Sequence, residues 1–327
     1  MRAIVCNALT GIDGLALEER PDPGPPGPAQ VRVRIAAAGL NYADLLVTTG
    51  KYQVRHEPPF VPGFEAAGIV DAVGPQVTAF KPGDRVTAIP EAGAFAEIAN
   101  LPISQVYPAP SGLDAAQAAG FPIAYGTSYL ALMEQAKLQA GETLLVHDAA
   151  GGVGLTAVEI GKAMGARVVA SAGGPDKCAI ARAHGADHVI DYKAEHIRER
   201  VKALVDGVDV VYDPVGGSAF EASLRVVNWN ARVLIIGFAS GPVPQIPANI
   251  LLVKNVAAMG FYFGSWRQRR PAVVAQAFAV LDGLVQAGQL KPLILHRFDL
   301  AQFRPALELI QARQSTGKVV LTTGAAF

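Results

Sequence analysis

The clearest chemical signal in the sequence is a glycine-rich turn that joins an apolar run to a segment of helical period. The run spans residues 144–147, the helical period covers 155–164, and the turn consists of Ala150, Gly151, Gly152, Val153 and Gly154. Backbone N–H groups and the positive end of a helix dipole attract phosphate at such a turn, and glycine permits close approach. The spacing Ala149-x-Gly151-x-x-Gly154 lacks only the first glycine of the usual motif. It predicts a dinucleotide pyrophosphate site, with tight strand–helix packing as the alternative.

The next apolar run lacks the carboxylate that NAD sites use for the ribose 2′-hydroxyl. It reads Val-Val-Ala-Ser-Ala-Gly-Gly over residues 168–174, and the first acid, Asp176, is followed by Lys177. A lysine and a short hydroxyl attract a 2′-phosphate, whereas a carboxylate repels one. Ser171, Lys177 and Tyr192 are therefore candidate 2′-phosphate ligands. The sequence favours NADPH over NADH, and a lysine that only solvates a helix end is the alternative.

The elements that position these residues alternate between strands and helices. From Thr143 to Ile236, continuous apolar runs alternate with amphipathic segments, which is typical of a parallel sheet covered on both faces. The first hundred residues are β-rich instead, with strands predicted at 31–35, 68–74 and 86–89. A helical pattern covers Ala115–Leu138. The tail has helical patterns at 271–286 and 300–313 and strand-like runs at 293–295 and 319–321.

Composition excludes several classes of function. The chain of 327 residues has 28 basic and 28 acidic side chains, so it lacks the basic excess that a nucleic-acid partner needs. Two cysteines, Cys6 and Cys178, cannot form a disulfide framework or a four-thiolate zinc site. The longest apolar stretches are strand-sized, well below the roughly 20 residues of a membrane span. We expect a soluble cytoplasmic protein with no membrane partner.

Several segments in order along the chain resemble the medium-chain dehydrogenase/reductase superfamily, in its zinc-free quinone oxidoreductase (zeta-crystallin-like) branch. The segments that carry the resemblance are Ala38–Asp44, Pro62–Val70, Phe80–Val86, Ala124–Ser128, the glycine turn and Gly317–Leu321. The resemblance implies an α/β fold in which a doubly wound Rossmann sheet (residues 121–264) is inserted into a β-rich GroES-like catalytic domain (residues 1–120 and 265–327). It places the active site in the cleft between the two domains.

The departures from the zinc-dependent relatives indicate a site without metal. Those relatives carry Gly-His-Glu where this chain has Gly63-Phe64-Glu65, and a cysteine near the position of Gly39. Phenylalanine cannot bind zinc, and residues 89–101 contain none of the cysteines of the structural zinc lobe. Catalytic zinc needs three protein ligands with nitrogen or sulfur prominent among them, so we predict no metal.

For catalysis without metal, the resemblance points to Asn41, Tyr52 and Asp44. The Asn41 amide would donate to the substrate or to the nicotinamide ribose, Tyr52 would supply a proton, and Asp44 would orient these groups. The alternatives are that Asn41 caps the helix predicted at 42–48, that Tyr52 packs on a loop, and that Asp44 is structural. A developing oxyanion in a water-poor site needs such donors.

The resemblance also assigns further residues to the cofactor and to a partner. Beside Asn41, the expected cofactor contacts are Thr127, Gly237, Phe238, Ala239, Phe261, Phe263 and Lys318. Residues 237–239 are expected there because they follow a predicted strand. The stretch 261–264 would contact the carboxamide through backbone groups, with interface core as the alternative for its aromatic rings. A strand predicted at 256–259 would form the sheet edge that pairs across a homodimer in this family.

We therefore predict an NADPH-dependent, zinc-independent enzyme that transfers a hydride or electrons to quinones or related α,β-unsaturated carbonyls. One alternative is an enoyl-thioester reductase, whose substrate would need positive charge such as Arg267, Arg269 and Arg270. The other alternative is a protein that binds NADPH without catalysis, as happens when a reductase fold is recruited for another task.

Overall fold

A computed structural model describes residues 1–327, which divide into two compact units. Unit 1 comprises Met1–Ile123 and Pro292–Phe327, and unit 2 comprises Ala124–Lys291. None of the helices combines the length and the apolar composition needed to cross a bilayer.

Fifteen strands build the two units. Their bounds are β1 (Arg2–Cys6), β2 (Leu15–Glu19), β3 (Gln30–Leu40), β4 (Glu65–Val73), β5 (Arg85–Ala88), β6 (Ile98–Pro102), β7 (Val106–Pro108), β8 (Thr143–Val146), β9 (Arg167–Ala172), β10 (His188–Asp191), β11 (Val208–Asp213), β12 (Val227–Ile235), β13 (Ala257–Gly260), β14 (His296–Asp299) and β15 (Val319–Thr322).

Eleven α-helices accompany the strands. Their bounds are α1 (Tyr42–Val47), α2 (Ala115–Gly120), α3 (Pro122–Tyr129), α4 (Gly152–Ala163), α5 (Pro175–Ala183), α6 (Ile197–Leu204), α7 (Gly217–Leu224), α8 (Ala248–Lys254), α9 (Phe263–Arg269), α10 (Pro271–Gln286) and α11 (Phe303–Gln311). A π-helical turn at Leu130–Gln135 follows α3.

Unit 2 contains one six-stranded sheet in the order β10-β9-β8-β11-β12-β13, and every neighbouring pair is parallel. This is the strand order of a doubly wound dinucleotide-binding sheet. The central strand β8 is apolar throughout, because both faces of a parallel sheet are covered, and Leu144, Leu145 and Val146 have no solvent exposure. The predicted Rossmann sheet is confirmed.

Unit 1 contains a seven-stranded sheet in which the chain's two ends meet. Strand β3 pairs antiparallel with β4 and β6, and near its end with β15, so residues 319–322 lie beside residues 37–40. The alternation in residues 31–35 buries Val31, Val33 and Ile35 and leaves Arg32 and Arg34 outside. This β-rich unit, completed by the tail, matches the fold expected for the catalytic domain.

The second boundary between the units lies at residues 291/292, whereas the sequence analysis placed it at 264/265. Helix α10 explains the difference, because Val274, Ala277 and Leu281 are buried. A Cβ on Gly126 would lie 2.8 Å from Phe263 and 3.4 Å from Phe278, so this stretch packs within unit 2.

Two local predictions were wrong in their bounds. The helical pattern of residues 115–138 is divided into α2, α3 and a π-helical turn, since Pro122 has no N–H to continue a helix. The strand-like run at 293–295 forms only an isolated bridge from Ile294 to Gly317, and the strand itself is β14, a few residues later.

Candidate active site

The glycine turn of unit 2 leads from β8 into helix α4 and is held by close backbone approach. Asp148 adopts a left-handed conformation with φ of 50°, and its carbonyl accepts the Gly151 N–H at 2.8 Å. A Cβ on Gly154 would lie 2.0 Å from that same carbonyl oxygen. The first N–H groups of a helix have no partner within it, so the start of α4 presents donors to an anion. The geometry fits a pyrophosphate.

A buried histidine stands directly before this turn. His147 has no solvent exposure, and its Nε2 and Nδ1 lie 2.7 Å from the hydroxyls of Ser223 and Ser171 respectively. The Ser223 hydroxyl donates to the Ala219 carbonyl at 2.9 Å, so it must accept from Nε2. Nδ1 is then the acceptor, and the Ser171 hydroxyl donates to it. Burial lowers the pKa of His147, which keeps the ring neutral.

The expected 2′-phosphate ligands therefore differ in their surroundings. Ser171 is 1% exposed and its single proton is engaged by His147, whereas Tyr192 is 49% exposed. Lys177 lies half-buried in the first turn of α5. A Cβ on Gly173 would come within 2.5 Å of the Tyr192 hydroxyl, so the phenol lies against the end of β9. Lys177 and Tyr192 thus follow the ends of the neighbouring strands β9 and β10.

Apart from Asn41, the residues expected near the nicotinamide lie in unit 2. Thr127 is 8% exposed on α3, beside Ser128, whose hydroxyl lies 2.8 Å from the Tyr212 hydroxyl. The segment Gly237–Ala239 follows β12, and the Ala239 N–H donates to the Pro214 carbonyl at 3.0 Å. Phe238 is 39% exposed. These groups follow the carboxyl ends of parallel strands or flank α4, where such sheets bind ligands.

The aromatic pair after β13 is largely engaged in packing. Phe261 is 7% exposed and stacks on Trp266 with 5.8 Å between ring centroids. Phe263 is 8% exposed and covers Gly126, where a Cβ would lie 2.8 Å from the ring. Their rings serve the core of unit 2, and the Phe261 N–H donates to the Ile235 carbonyl at 3.1 Å.

In unit 1, four polar side chains of distant sequence meet at one end of the sheet. The Glu65 carboxylate has no exposure and accepts from Lys318 Nζ at 2.5 Å and from Asn41 Nδ2 at 2.8 Å. Lys318, which is 7% exposed, also donates to Asn41 Oδ1 at 2.8 Å. Asp44 accepts the Asn41 backbone N–H at 2.7 Å.

The pKa of Asp44 is raised well above its ordinary range. The side chain is 1% exposed and its Oδ1 has no hydrogen-bond partner. Burial raises the pKa of Asp44 to about 8, and the charge of Glu65 adds to the rise, whereas Lys318 opposes it. Asp44 is therefore neutral at pH 7. It also closes the start of α1, because it accepts the backbone N–H of the N-cap residue Asn41.

Tyr52 and Phe64 form a separate aromatic contact in unit 1. Their ring centroids are 5.3 Å apart at an angle of 50°, and Phe64 is 8% exposed. Phe64 stands at the position where zinc-dependent relatives have a histidine. No group of three or more His, Cys, Asp and Glu side chains is arranged to hold a metal ion.

The structure thus gathers Asn41, Asp44 and Lys318 in unit 1 and most of the other expected cofactor residues in unit 2. Lys318 was expected at the cofactor, but its three contacts are all to unit 1 atoms. The sequence analysis did not assign a site role to Glu65 or His147. A charged residue at the head of the buried strand β4 was the available signal for Glu65, since such residues are rarely buried without a partner.

Two family models match the chain. Residues 27–111 match the alcohol dehydrogenase GroES-like domain, and residues 152–279 match the zinc-binding dehydrogenase domain. The chain is 41% identical to a quinone oxidoreductase-like protein 2 homolog of Nematostella vectensis, over 98% of this chain and 89% of that protein. It is 39% identical to a quinone oxidoreductase of Pseudomonas aeruginosa, over 91% of this chain and 93% of that protein.

Solved structures agree with these matches. The quinone oxidoreductase of Escherichia coli, crystallised with NADPH, superposes with a TM-score of 0.91 at 29% identity, covering 98% of this chain and all of that one. The chain therefore belongs to the medium-chain dehydrogenase/reductase superfamily, in its quinone oxidoreductase-like branch.

Proposed function

We propose that this chain is an NADPH-dependent oxidoreductase that reduces a quinone or a related α,β-unsaturated carbonyl compound without a metal ion. The observation that carries the proposal is the glycine turn before α4. Lys177 and Tyr192 follow at the neighbouring strand ends, and residues 168–175 contain no acidic side chain. The printed names of the Pseudomonas and Escherichia relatives support the same cofactor and substrate class.

The cofactor's phosphates would be held by two kinds of group. Backbone N–H groups at Ala150, Gly152, Val153 and Gly154 bind the pyrophosphate, whereas the Gly151 N–H is donated to the Asp148 carbonyl. Lys177 and the Tyr192 hydroxyl bind the 2′-phosphate. Ser171 is not included among these ligands, because its hydroxyl donates its hydrogen bond to His147.

At the nicotinamide end, unit 2 would supply mostly backbone contacts. Thr127 and the segment Gly237–Ala239 border this region, with Phe238 as the exposed side chain. Phe261 and Phe263 contribute main-chain atoms, since their rings are packed against Trp266 and Gly126.

The reducing equivalent is a hydride, which NADPH supplies when bound. Asn41 then donates an N–H to the substrate oxygen on which negative charge develops, and Tyr52 delivers the proton that completes the reduction. Asp44 acts through Asn41, whose backbone N–H it accepts. A metal ion has no place in this scheme because Phe64 offers no ligand atom.

We also propose that two copies pair through the edge of the unit 2 sheet. Strand β13 is the last strand of that sheet, and its residues are exposed or half-buried. Light scattering in solution tests this state, and a monomer at all concentrations would contradict it.

The decisive experiment is steady-state oxidation of NADPH and NADH with a panel of acceptors. The panel holds 1,4- and 1,2-quinones, enals and a crotonyl thioester. We expect turnover with quinones or enals and a preference for NADPH. Faster turnover of the crotonyl thioester would identify an enoyl thioester, and not a quinone, as the substrate class. Stoichiometric NADPH binding without turnover of any acceptor would favour a protein that binds NADPH without catalysis.

Zinc independence needs its own measurement. We expect metal analysis of the purified protein to find less than stoichiometric zinc, and we expect activity to survive a strong chelator. Stoichiometric zinc whose removal abolishes turnover would overturn this part of the proposal.

A further inference from the structure

We propose that Lys318 and Glu65 are positioning residues that fix the orientation of the Asn41 side-chain amide, so that Asn41 offers one N–H and no carbonyl to the reacting substrate. This inference rests on the proposed function, in which Asn41 contacts the acceptor. It replaces the expectation that Lys318 binds the cofactor.

The hydrogen bonds of Lys318 use all of its donors. Its ammonium group carries three N–H bonds and no lone pair. Nζ lies 2.5 Å from Glu65 Oε1, 2.8 Å from Asn41 Oδ1 and 2.9 Å from the Leu40 carbonyl oxygen. Three donors thus face three acceptors inside unit 1, at a side chain that is 7% exposed. No N–H remains for a phosphate or a ribose.

The two charged groups decide which way the Asn41 amide faces. An ammonium can only donate, so it requires the amide oxygen, and a carboxylate can only accept, so it requires the amide nitrogen. A flipped Asn41 amide would set its NH₂ against Lys318 and its oxygen against Glu65, which is unfavourable at both contacts. The oxygen and nitrogen positions of this amide are therefore determined by its neighbours.

The Glu65 carboxylate is itself held from several sides. Its Oε2 accepts the Ile123 N–H at 2.9 Å, and its Oε1 accepts Asn41 and Lys318. The strand β3 leaves space for this group, because a Cβ on Gly39 would lie 2.5 Å from Glu65 Oε1. The carboxylate is thus fixed before it acts on Asn41.

The chemical consequence concerns the free part of the amide. Nδ2 carries two N–H bonds and gives one to Glu65, so one N–H remains. A single donor of fixed direction stabilises a developing oxyanion, whereas the amide oxygen would repel it. The ion pair Lys318–Glu65 therefore supports catalysis through Asn41 without touching substrate.

A spectroscopic experiment tests the inference without depending on activity. The full-length protein is labelled with ¹⁵N at asparagine, and the side-chain signals of Asn41, assigned by loss in Asn41→Ala, are followed by NMR. We expect the Asn41 N–H that Glu65 accepts to exchange slowly with solvent in the wild type and to lose that protection in Lys318→Met. Unchanged Asn41 signals in folded Lys318→Met would overturn the inference.

Arg32→Met is the control for loss of a cation on β3, in the same sheet, whose side chain is 11% exposed. Arg32 is paired with Asp22 and Asp71 at the other end of β3, so its loss should leave the Asn41 signals unchanged. If Lys318→Met does not fold, the double variant Glu65→Gln with Lys318→Met, which removes both charges, is used instead. It should show the same loss of protection at Asn41, and retained protection would contradict the inference.

Kinetics of a double-mutant cycle then separate positioning from cofactor binding. We expect Lys318→Met to lower kcat up to about 100-fold, as for a misplaced catalytic group. The NADPH dissociation constant should stay within about twofold, and Asn41→Ala with Lys318→Met should be no slower than Asn41→Ala alone. If the losses in kcat of the two single variants multiply in the double variant, or if Lys318→Met alone weakens NADPH binding, Lys318 is an independent cofactor ligand. If the wild type turns over no acceptor, the proposed function fails while the NMR result still decides the orientation of Asn41.

Discussion

The two units offer polar groups to a ligand in opposite ways. In unit 2 the nucleotide turn is continuous in sequence, from His147 to Gly154, and its donors are backbone N–H groups. In unit 1 the polar cluster joins Asn41 to Glu65 across 24 residues and Glu65 to Lys318 across 253 residues. A backbone site depends on local conformation, whereas a side-chain site depends on how strands pair.

Strand register is what assembles the unit 1 cluster. Gly39 pairs with Glu65 between β3 and β4, and Leu40 pairs with Val319 between β3 and β15. Asn41 follows β3, Glu65 begins β4 and Lys318 precedes β15. The three residues therefore lie at the same end of three adjacent strands. A slip of one residue in either pairing would reverse the direction of a side chain and separate the group.

The largest expected effect comes from adding one methyl group to the unit 2 turn. Gly154→Ala would place a Cβ 2.0 Å from the Asp148 carbonyl oxygen, so the turn must shift. We expect a loss of about 3 kcal/mol in stability, together with a large loss of NADPH affinity. Thermal unfolding and fluorescence titration measure the two effects. The control is Gly283→Ala in α10, where a Cβ meets nothing within 4 Å. Equal behaviour of both variants would show that the close approach does not define the site.

Next in size is the removal of the cation offered to the 2′-phosphate. Lys177→Ala should weaken NADPH binding by about 2 kcal/mol and change NADH binding little, because only NADPH carries that phosphate. Dissociation constants for both cofactors measure the difference, and Lys202→Ala on α6 serves as a control for the loss of a surface charge. Equal losses for NADPH and NADH would contradict the assignment of Lys177.

Asp44 provides a pH-dependent test of the unit 1 cluster. With a pKa of about 8 when folded and near 4 when unfolded, Asp44 holds a proton in the folded state that the unfolded chain releases. Its contribution to stability is complete below pH 4 and is lost as the pH rises towards 8. Asp44→Asn has no such proton, so it should gain about 1.4 kcal/mol on the wild type for each pH unit between pH 5 and pH 7.

Thermal unfolding of Asp44→Asn and the wild type across this range provides the measurement. Asp206→Asn, at an exposed position of unit 2, is the control and should run parallel to the wild type. A stability difference for Asp44→Asn that shrinks with rising pH would mean that this carboxyl is ionised in the folded state.

The smallest effect is expected at Ser171. Ser171→Ala removes the donor to His147 Nδ1 and should cost about 1 kcal/mol of stability. Its NADPH affinity should match the wild type, in contrast to Lys177→Ala. If Ser171→Ala weakens NADPH binding but not NADH binding, the Ser171 hydroxyl contacts the 2′-phosphate after all. Ser223→Ala is the matched control, since it removes the other hydroxyl that contacts His147.

The amino-acid sequence by itself determined the class of unit 2 and the place of its nucleotide turn. Continuous apolar strands, alternating helices and closely spaced glycines are local features, and backbone conformation follows from them directly. The sequence also placed Asn41 at the cap of the helix predicted at 42–48, where the structure has α1.

Only the tertiary structure decided the partners of the side chains. In the structure the Ser171 hydroxyl donates a hydrogen bond to His147, and residues 265–291 belong to unit 2. Lys318 contacts both Asn41 and Glu65. Each of these outcomes depends on strand register or on packing between segments far apart in the chain. Sequence spacing carries no measure of such distances, whereas a buried charge must find its partner in the folded sheet.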